Sequence, residues 1–183
     1  FVLIQFNILT ITLGFISMIL AFSYPFMKRI TYWPQLFLGL TFNWGVVMAW
    51  TAINNSISIE IITLYMVAIF WTLGYDTIYG VQDIVDDEII GMKSTSIKFK
   101  KNIKLFVSFC YLLSSFLIIS LFYGQFGLNN FTLLIIIFIL SLIFQILKFK
   151  KNNSKKCLQA FKLNNISGFL MFLAIFLNNV EIL

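Results

Sequence analysis

Six long apolar stretches leave this chain few folds to choose from. They run from about Val2 to Phe26, Pro34 to Ile53, Ile57 to Gly74, Ile103 to Tyr123, Phe131 to Leu147 and Ile166 to Leu183. Each is near the ~20 residues that a helix needs to cross ~30 Å of hydrocarbon, with the fifth and sixth at the short end. Composition agrees: 60% of the 183 residues are hydrophobic and 11% are charged, against roughly 45–50% apolar and about 25% charged in ordinary soluble domains. The expected architecture is an all-α, polytopic transmembrane helix bundle forming one membrane domain over residues 1–183.

The charges give the bundle a polarity. Lys28 and Arg29 follow the first stretch. Lys93, Lys98, Lys100, Lys101 and Lys104 lie between the third and fourth, and Lys148, Lys150, Lys151, Lys155, Lys156 and Lys162 between the fifth and sixth. These are all thirteen basic residues. In a six-span arrangement they fall on one side, and by the positive-inside rule that side is cytoplasmic. The opposite turns, Asn54 to Ser56 and Gly124 to Asn130, carry turn formers and no basic residue. The expected setting is a multi-pass protein of a bacterial-type cell inner membrane. The net charge of +6 calls for no nucleic-acid partner, because topology and the anionic lipid bilayer account for it.

Several chemistries are excluded. The chain has no histidine, so His-based catalysis and His metal sites are absent. Cys110 and Cys157 lack metal-ligand or redox spacing, and Cys110 sits in an apolar run as core packing. There is no P-loop, GxGxxG or zinc pattern. The chain starts at Phe1, inside an apolar run without a polar n-region. It does not look like a signal peptide, and a start upstream of Phe1 is expected.

The acidic residues are concentrated. Five of seven lie between Tyr75 and Phe99: Asp76, Asp83, Asp86, Asp87 and Glu88. Read as one helix, Asp76, Tyr79, Asp83 and Asp87 fall within an arc of roughly 80°. Asp86 lies about 60° from Asp83. Like charges at i, i+4 repel, so this face needs a cation. A solvated acidic helix between two spans is the plain alternative, but it has no need to align its acids. Carboxylates without Cys or His partners favour a hard cation such as Mg²⁺, which takes one or two of them and fills its shell with water and phosphate oxygens. With Lys28, Arg29 and Lys93 as candidate cations, the Asp83–Asp87 pair points to a bound diphosphate. In a chain made of spans, a diphosphate implies a lipid tail in an apolar cleft. An ordinary positive-inside charge is the competing reading for Lys93, and more strongly so for Lys28 and Arg29.

The stretch YDTIYGVQDIVDDEIIGMKSTSIKF, Tyr75 to Phe99, closely resembles the second aspartate-rich motif of the UbiA-type intramembrane prenyltransferases. In the 4-hydroxybenzoate polyprenyltransferase branch the pattern reads roughly YDTxYxxxDxxDDxxxGxKST. Tyr75-Asp76-Thr77, Tyr79, Asp83, Asp86, Asp87, Gly91 and Lys93-Ser94-Thr95 fit it. A second block fits too: Tyr24 to Arg29, Pro34-Gln35, Gly39, Trp44-Gly45 and Met48-Ala49. So do Cys157 to Phe161 and Asn164-Asn165 to Gly168.

The resemblance implies nine spans around a central cavity, about six of them in this chain, with a cytoplasmic acidic helix. It implies transfer of a polyprenyl group from polyprenyl diphosphate to the ring of 4-hydroxybenzoate in ubiquinone biosynthesis. Mg²⁺ would bridge the diphosphate to two aspartate motifs, with Asp83 and Asp87 as ligands of the second. Asp76 and Tyr79 would support them, and Arg29, Lys28 and Lys93 would bind the substrate anion. The first motif, of Asn-Asp-x-x-Asp type, is absent. Three spans are therefore expected upstream, and the chain reads as a C-terminal fragment or the product of a split or decayed gene. Other acceptors (a naphthoate, homogentisate or haem) are alternatives within the family, although the Tyr24–Arg29 block favours 4-hydroxybenzoate. A cation-binding transporter and an inactive remnant are alternatives outside it. A CDP-alcohol phosphotransferase would need Asp-Gly and Ala-Arg spacing that this chain lacks.

Overall fold

The computed structural model describes residues 1–180, and among them every regular element is helical. After a 3-10 turn at Leu3–Gln5 come α1 (Ile8–Ile30), α2 (Pro34–Phe42), α3 (Trp44–Asn54), α4 (Ile59–Gly80), α5 (Ile84–Ile89) and α6 (Thr95–Lys98). Then follow α7 (Ile103–Leu121), a second 3-10 turn, α8 (Asn130–Lys148), α9 (Ser154–Lys162) and α10 (Asn164–Val180). Six helical stretches are long and apolar enough to cross a membrane: Ile8–Ile30, Pro34–Asn54, Ile59–Gly80, Ile103–Leu121, Asn130–Lys148 and Ser154–Asn178. The expected six-span, all-α bundle is thus what the chain forms.

Local chemistry sets most of the helix starts. Asn7, Ser58, Ser94, Asn129 and Asn153 each accept a bond from a first-turn N–H, capping α1, α4, α6, α8 and α9. Asn55 closes α3 in the left-handed region, at φ 48°, a conformation that asparagine tolerates better than most residues.

Three boundaries differ from the sequence reading. First, the span expected to close near Phe26, with Tyr24-Pro25 and the Lys28-Arg29 pair ending it, continues through Pro25 to Ile30. Lys28 and Arg29 are therefore in the last turn of α1, at the negative end of its dipole, rather than beyond it. Second, the expected Pro34–Ile53 span is two helices. The Asn43 side chain enters the backbone ladder there, its Nδ2 donating to Gly39 O at 2.8 Å and to Thr72 Oγ1 of α4 at 2.8 Å. A polar side chain in the ladder is a sufficient cause of a break. Third, the sixth apolar stretch is preceded by the amphipathic α9, so its helical path begins at Ser154 rather than Ile166. Residues 181–183 of the expected sixth span lie outside the described residues.

The centre of the bundle is α4, half of whose span is buried. It packs against α2 and α3 on one flank and α7 and α9 on the other, while α10 lies along α8. Leu13, Val47, Tyr65 and Ile69 form the smaller core between α1, α3 and α4. Val67, Ile78, Val107, Ile118, Phe131 and Phe138 belong to the larger one. Within this core Tyr111 Oη donates to Gln145 Oε1 at 2.6 Å, and Gln145 Nε2 donates to Ser167 Oγ at 3.0 Å. Partners like these tie spanning helices together at ~0.6–2 kcal/mol each.

The basic segments meet at one end of the bundle. Lys93 N donates to Lys28 O at 2.7 Å, Lys151 Nζ to Lys100 O at 2.6 Å, and Ser154 Oγ to Gln82 Oε1 at 3.3 Å. At the other end Asn178 Nδ2 donates to Gln125 Oε1, joining the α7–α8 turn to α10.

Candidate functional site

The site is built where α1 and α4 end together at the basic end of the bundle. Here the expected single acidic helix does not form. The helix that carries Asp76 stops at Gly80, and α5 starts at Ile84. Between them the ladder tightens to i→i+3 bonds: Val81 N to Ile78 O, Gln82 N to Tyr79 O and Asp83 N to Gly80 O, at 3.1–3.3 Å. Such a turn advances about 120° per residue instead of 100°, so the arc drawn for one continuous helix does not carry over from Asp76 to Asp83. A Cβ on Gly80 would stand 2.7 Å from Ser96 Oγ and 3.2 Å from Gln35 Nε2, so α4 ends in close contact with the segment that follows α5 and with α2. One relation survives the break: Asp87 N–H still donates to Asp83 O at 2.8 Å, keeping the pair one turn apart.

The chain leaves α5 by a glycine-centred helix ending. Gly91, at φ 73°, donates to Glu88 O, and Met92 N donates to Asp87 O at 2.8 Å. That pair of bonds is the Schellman arrangement, and it turns the chain back across the helix end. The returning segment clamps the site. Ser94, Thr95 and Ser96 are fully buried. Thr95 N donates to Gln35 Oε1 (2.9 Å), Thr95 and Thr77 share a hydroxyl bond (2.7 Å), and Ser96 Oγ donates to Thr77 O (2.8 Å). Thus α2, α4 and α6 are locked directly under the acidic turn.

Within this frame Lys28 is the electrostatic hub. Its Nζ lies 3.2 Å and 3.4 Å from the two carboxylate oxygens of Asp87. Asp87 is 7% exposed while the Lys28 side chain keeps contact with solvent, so the pair is partly shielded from screening. Asp76 interacts electrostatically with both Lys28 and Asp83, and the Tyr24 phenol, one turn before Lys28, with Asp76 and Lys28. Asp83 is half-buried at the N-cap of α5, and its side chain makes no capping bond. The structure therefore brings Lys28, Asp76, Asp83 and Asp87 together. Arg29 is exposed and makes no side-chain hydrogen bond or ion pair among the described residues. Lys93 turns to the end of α1, its Nζ donating to Ile30 O at 3.1 Å and lying 5.6 Å from the Tyr32 ring. Asp86 is exposed. Tyr79 stacks obliquely on Phe161, with ring centroids 4.8 Å apart.

Behind the polar cluster lies a cavity of about 390 Å³ lined by Phe42, Asn43, Trp71, Thr72, Tyr75, Phe161 and Asn164, among others. Trp71, Tyr75 and Tyr79 succeed one another at i+4 on α4 and form a stripe of rings from this cavity toward the acidic turn. Tyr75 lies 6.0 Å from Trp71 and 5.8 Å from Phe161. Trp71 Nε1 donates to Asn164 Oδ1 at 3.0 Å, closing the wall between α4 and α10. Sequence reasoning places Tyr24 and Gln35 in the motif blocks without giving them a role, and misses Asn43 and Ser96. The i, i+4 spacing of Tyr24 and Lys28 and the hydroxyl run from Ser94 to Ser96 are the signals that could have given Tyr24 its role and found Ser96.

The donor set suits a hard cation. Asp83 and Asp87 offer carboxylate oxygens one helical turn apart, enough for an Mg²⁺ that keeps water and phosphate oxygens in its shell. Among the described residues no group of three or more Asp, Glu, Cys or His side chains forms a closed metal cage.

Residues 1–176 match the model of the UbiA prenyltransferase family. The 4-hydroxybenzoate polyprenyltransferase, mitochondrial, of Bos taurus is 40% identical over 182 residues, covering 98% of this chain and 48% of that protein. The 4-hydroxybenzoate octaprenyltransferase of Psychromonas ingrahamii is 40% identical over 173 residues, covering 93% of this chain and 60% of its own length. The Arabidopsis thaliana 4-hydroxybenzoate polyprenyltransferase, mitochondrial, reaches 50% identity over 108 residues, 26% of its length. This chain thus spans about half the length of the relatives it matches. Among solved structures, the apo structure of a UbiA homolog from Aeropyrum pernix K1 superposes with a TM-score of 0.78 at 23% identity, over 99% of this chain and 67% of that one.

Proposed function

The chain belongs to the UbiA prenyltransferase family, and from that premise we propose that it transfers a polyprenyl group from polyprenyl diphosphate to the ring of 4-hydroxybenzoate, a step of ubiquinone biosynthesis. One observation carries the reading: relatives named for 4-hydroxybenzoate prenylation match 98% and 93% of the chain at 40% identity.

The geometry supports a division of labour. Asp83 and Asp87 would hold Mg²⁺, and Asp76 adds negative charge beside them. Bound with the diphosphate, Mg²⁺ supplies positive charge against the charge that develops on the leaving group. Lys28 sits on Asp87 and is placed to exchange that carboxylate for a phosphate oxygen, while Arg29, free in the same turn, offers a planar fork for a second one. Lys93 holds the end of α1 and so fixes both cations in place. The aromatic stripe Trp71–Tyr75–Tyr79 and the cavity behind it take the first isoprene units. The allylic C–O bond breaks with its electron pair leaving on the diphosphate. The resulting carbocation is attacked by the ring carbon ortho to the phenol, and that carbon then loses its proton. The basic end faces the cytoplasm of a bacterial-type inner membrane, so the diphosphate enters from that side.

The test uses membranes holding this chain, alone and together with the N-terminal half of a relative that carries the first aspartate motif. They receive radiolabelled polyprenyl diphosphate, Mg²⁺ and one acceptor at a time. The expected result is labelled 3-polyprenyl-4-hydroxybenzoate from the complemented membranes. Product with a naphthoate or homogentisate and none with 4-hydroxybenzoate would overturn the acceptor assignment.

A further inference from the structure

A groove between α7 and α8 uses none of the residues of the site above. In the membrane-spanning part, Leu112, Ile139 and Ile143 line an apolar cavity of about 270 Å³ with Tyr111 against it. At the basic end, Lys101, Lys104 and Lys151 line a second cavity of about 360 Å³, at the start of α7 and just past the end of α8. The two are stacked one turn apart on the same pair of helices. Ile146 borders the first and Phe149 the second, and on α7 Ser108 and Lys104 stand in the same relation. From Lys104 to Ser115 the path measures ~16 Å along α7. A cationic head above an open apolar groove is complementary to a single-chain segment of an amphiphile.

The charges sharpen the match. Glu88 pairs with Lys100 at 2.7 Å, and Lys101 and Lys104 are exposed and have no acidic partner among the described residues. The Lys151 ammonium is held over the loop by Lys100 O. No acidic side chain lines either cavity. Asn102, at the N-cap of the nineteen-residue α7, supplies no side-chain capping bond, so first-turn N–H groups add to the attraction for an anion.

We propose that this groove binds an anionic phospholipid of the surrounding bilayer, its phosphate on Lys101, Lys104 and Lys151 and one acyl chain against Leu112, Ile139 and Ile143. Basic pockets between spanning helices on the cytoplasmic side are the usual receptors for such head groups. A zwitterionic lipid brings the same phosphate but sets its own fixed cation among the three lysines, so its net attraction is smaller. A second copy of this chain on a two-fold axis would set the lysines against themselves. A polyprenyl diphosphate finds no carboxylate here for its metal.

The experiment is native mass spectrometry of the delipidated chain in detergent, offered equimolar palmitoyl-oleoyl phosphatidylglycerol and phosphatidylcholine. The wild type should retain one phosphatidylglycerol in preference to phosphatidylcholine. Each lysine near an anionic head group contributes on the order of fivefold, so Lys101→Gln/Lys104→Gln/Lys151→Gln should weaken retention by about a hundredfold. A triple variant at Lys150, Lys155 and Lys156, with the same loss of charge, should bind like the wild type. Leu112→Trp, which crowds the apolar groove and leaves every charge in place, should also weaken retention. Equal retention of the two lipids, equal loss in both triple variants, or one-for-one displacement by geranylgeranyl diphosphate would overturn the proposal.

Discussion

Lys28 and Arg29 are adjacent in sequence and opposite in circumstance. One helical step of about 100° separates their side chains. Lys28 faces α4 and α5 and finds Asp87 at 3.2 Å, whereas Arg29 remains exposed. A cation already paired with a buried carboxylate helps hold the site together; an unpaired one is available to an anion. Lys28→Met therefore leaves the Asp87 carboxylate buried without its partner. Because the Lys28 side chain is 38% exposed, the cost is tempered by solvent to about 1–2 kcal/mol. It should be seen as a lowered thermal midpoint in detergent. Arg29→Ala should leave that midpoint unchanged. In complemented membranes it should lower turnover by roughly tenfold to a hundredfold, the worth of a charge-assisted hydrogen bond. Arg29→Lys should restore only part, since an ammonium lacks the guanidinium fork. If Arg29→Ala instead kept wild-type turnover, the residue would be a topology anchor alone. Asp86→Asn, at an exposed position, should be mild by either measure.

At the level of elements, the clamp formed by the chain after α5 decides whether the acidic turn is held. Gly91 adopts φ 73° and has open space around an added Cβ. Gly91→Ala should cost only the strain of a left-handed residue, about 1 kcal/mol. Gly80→Ala should be worse for activity, because the new methyl meets Ser96 Oγ at 2.7 Å and pushes the Ser94–Ser96 segment away from Thr77 and Gln35. Turnover of the two variants at matched folded fraction checks the order; equal activity would mean that the clamp does not position the aspartates. These same contacts mark the limit of what could be read from sequence. The spans were legible because crossing hydrocarbon is a local requirement on length and apolarity. The Asp83–Asp87 relation was legible because it lies within one turn. The break after Gly80 was not, since the groups packed against it there, Ser96 and Gln35, come from sixteen and forty-five positions away. Nor was the passage of α1 through Pro25, because a proline reads as a helix end until neighbouring helices hold it. Lys28 and Arg29 could be named but not told apart, for which one faces α4 depends on how the two helices pack.

For the whole molecule, one-sidedness is the claim with the widest consequences. Lys28, Lys93, Lys100 and Lys151 meet at one end, and the turns at Asn55 and Gln125 belong to the other. With Cys110 and Cys157, both buried, replaced by alanine, a single cysteine at Asn55 should react with an impermeant maleimide from outside intact cells. One at Lys151 should react only after permeabilisation; the reverse pattern would invert the orientation. The central claim, that the acidic turn against Lys28 is the diphosphate end of a prenyltransferase, is tested most directly by Mg²⁺-dependent transfer to 4-hydroxybenzoate. The comparison is between the chain complemented with the first aspartate motif and its Asp83→Asn and Asp87→Asn variants. If that claim holds, product requires Mg²⁺ and the complementing half, and nearly vanishes in both variants while their helical content is kept. Wild-type rates in either variant, or robust turnover by the 183-residue chain alone, would contradict it.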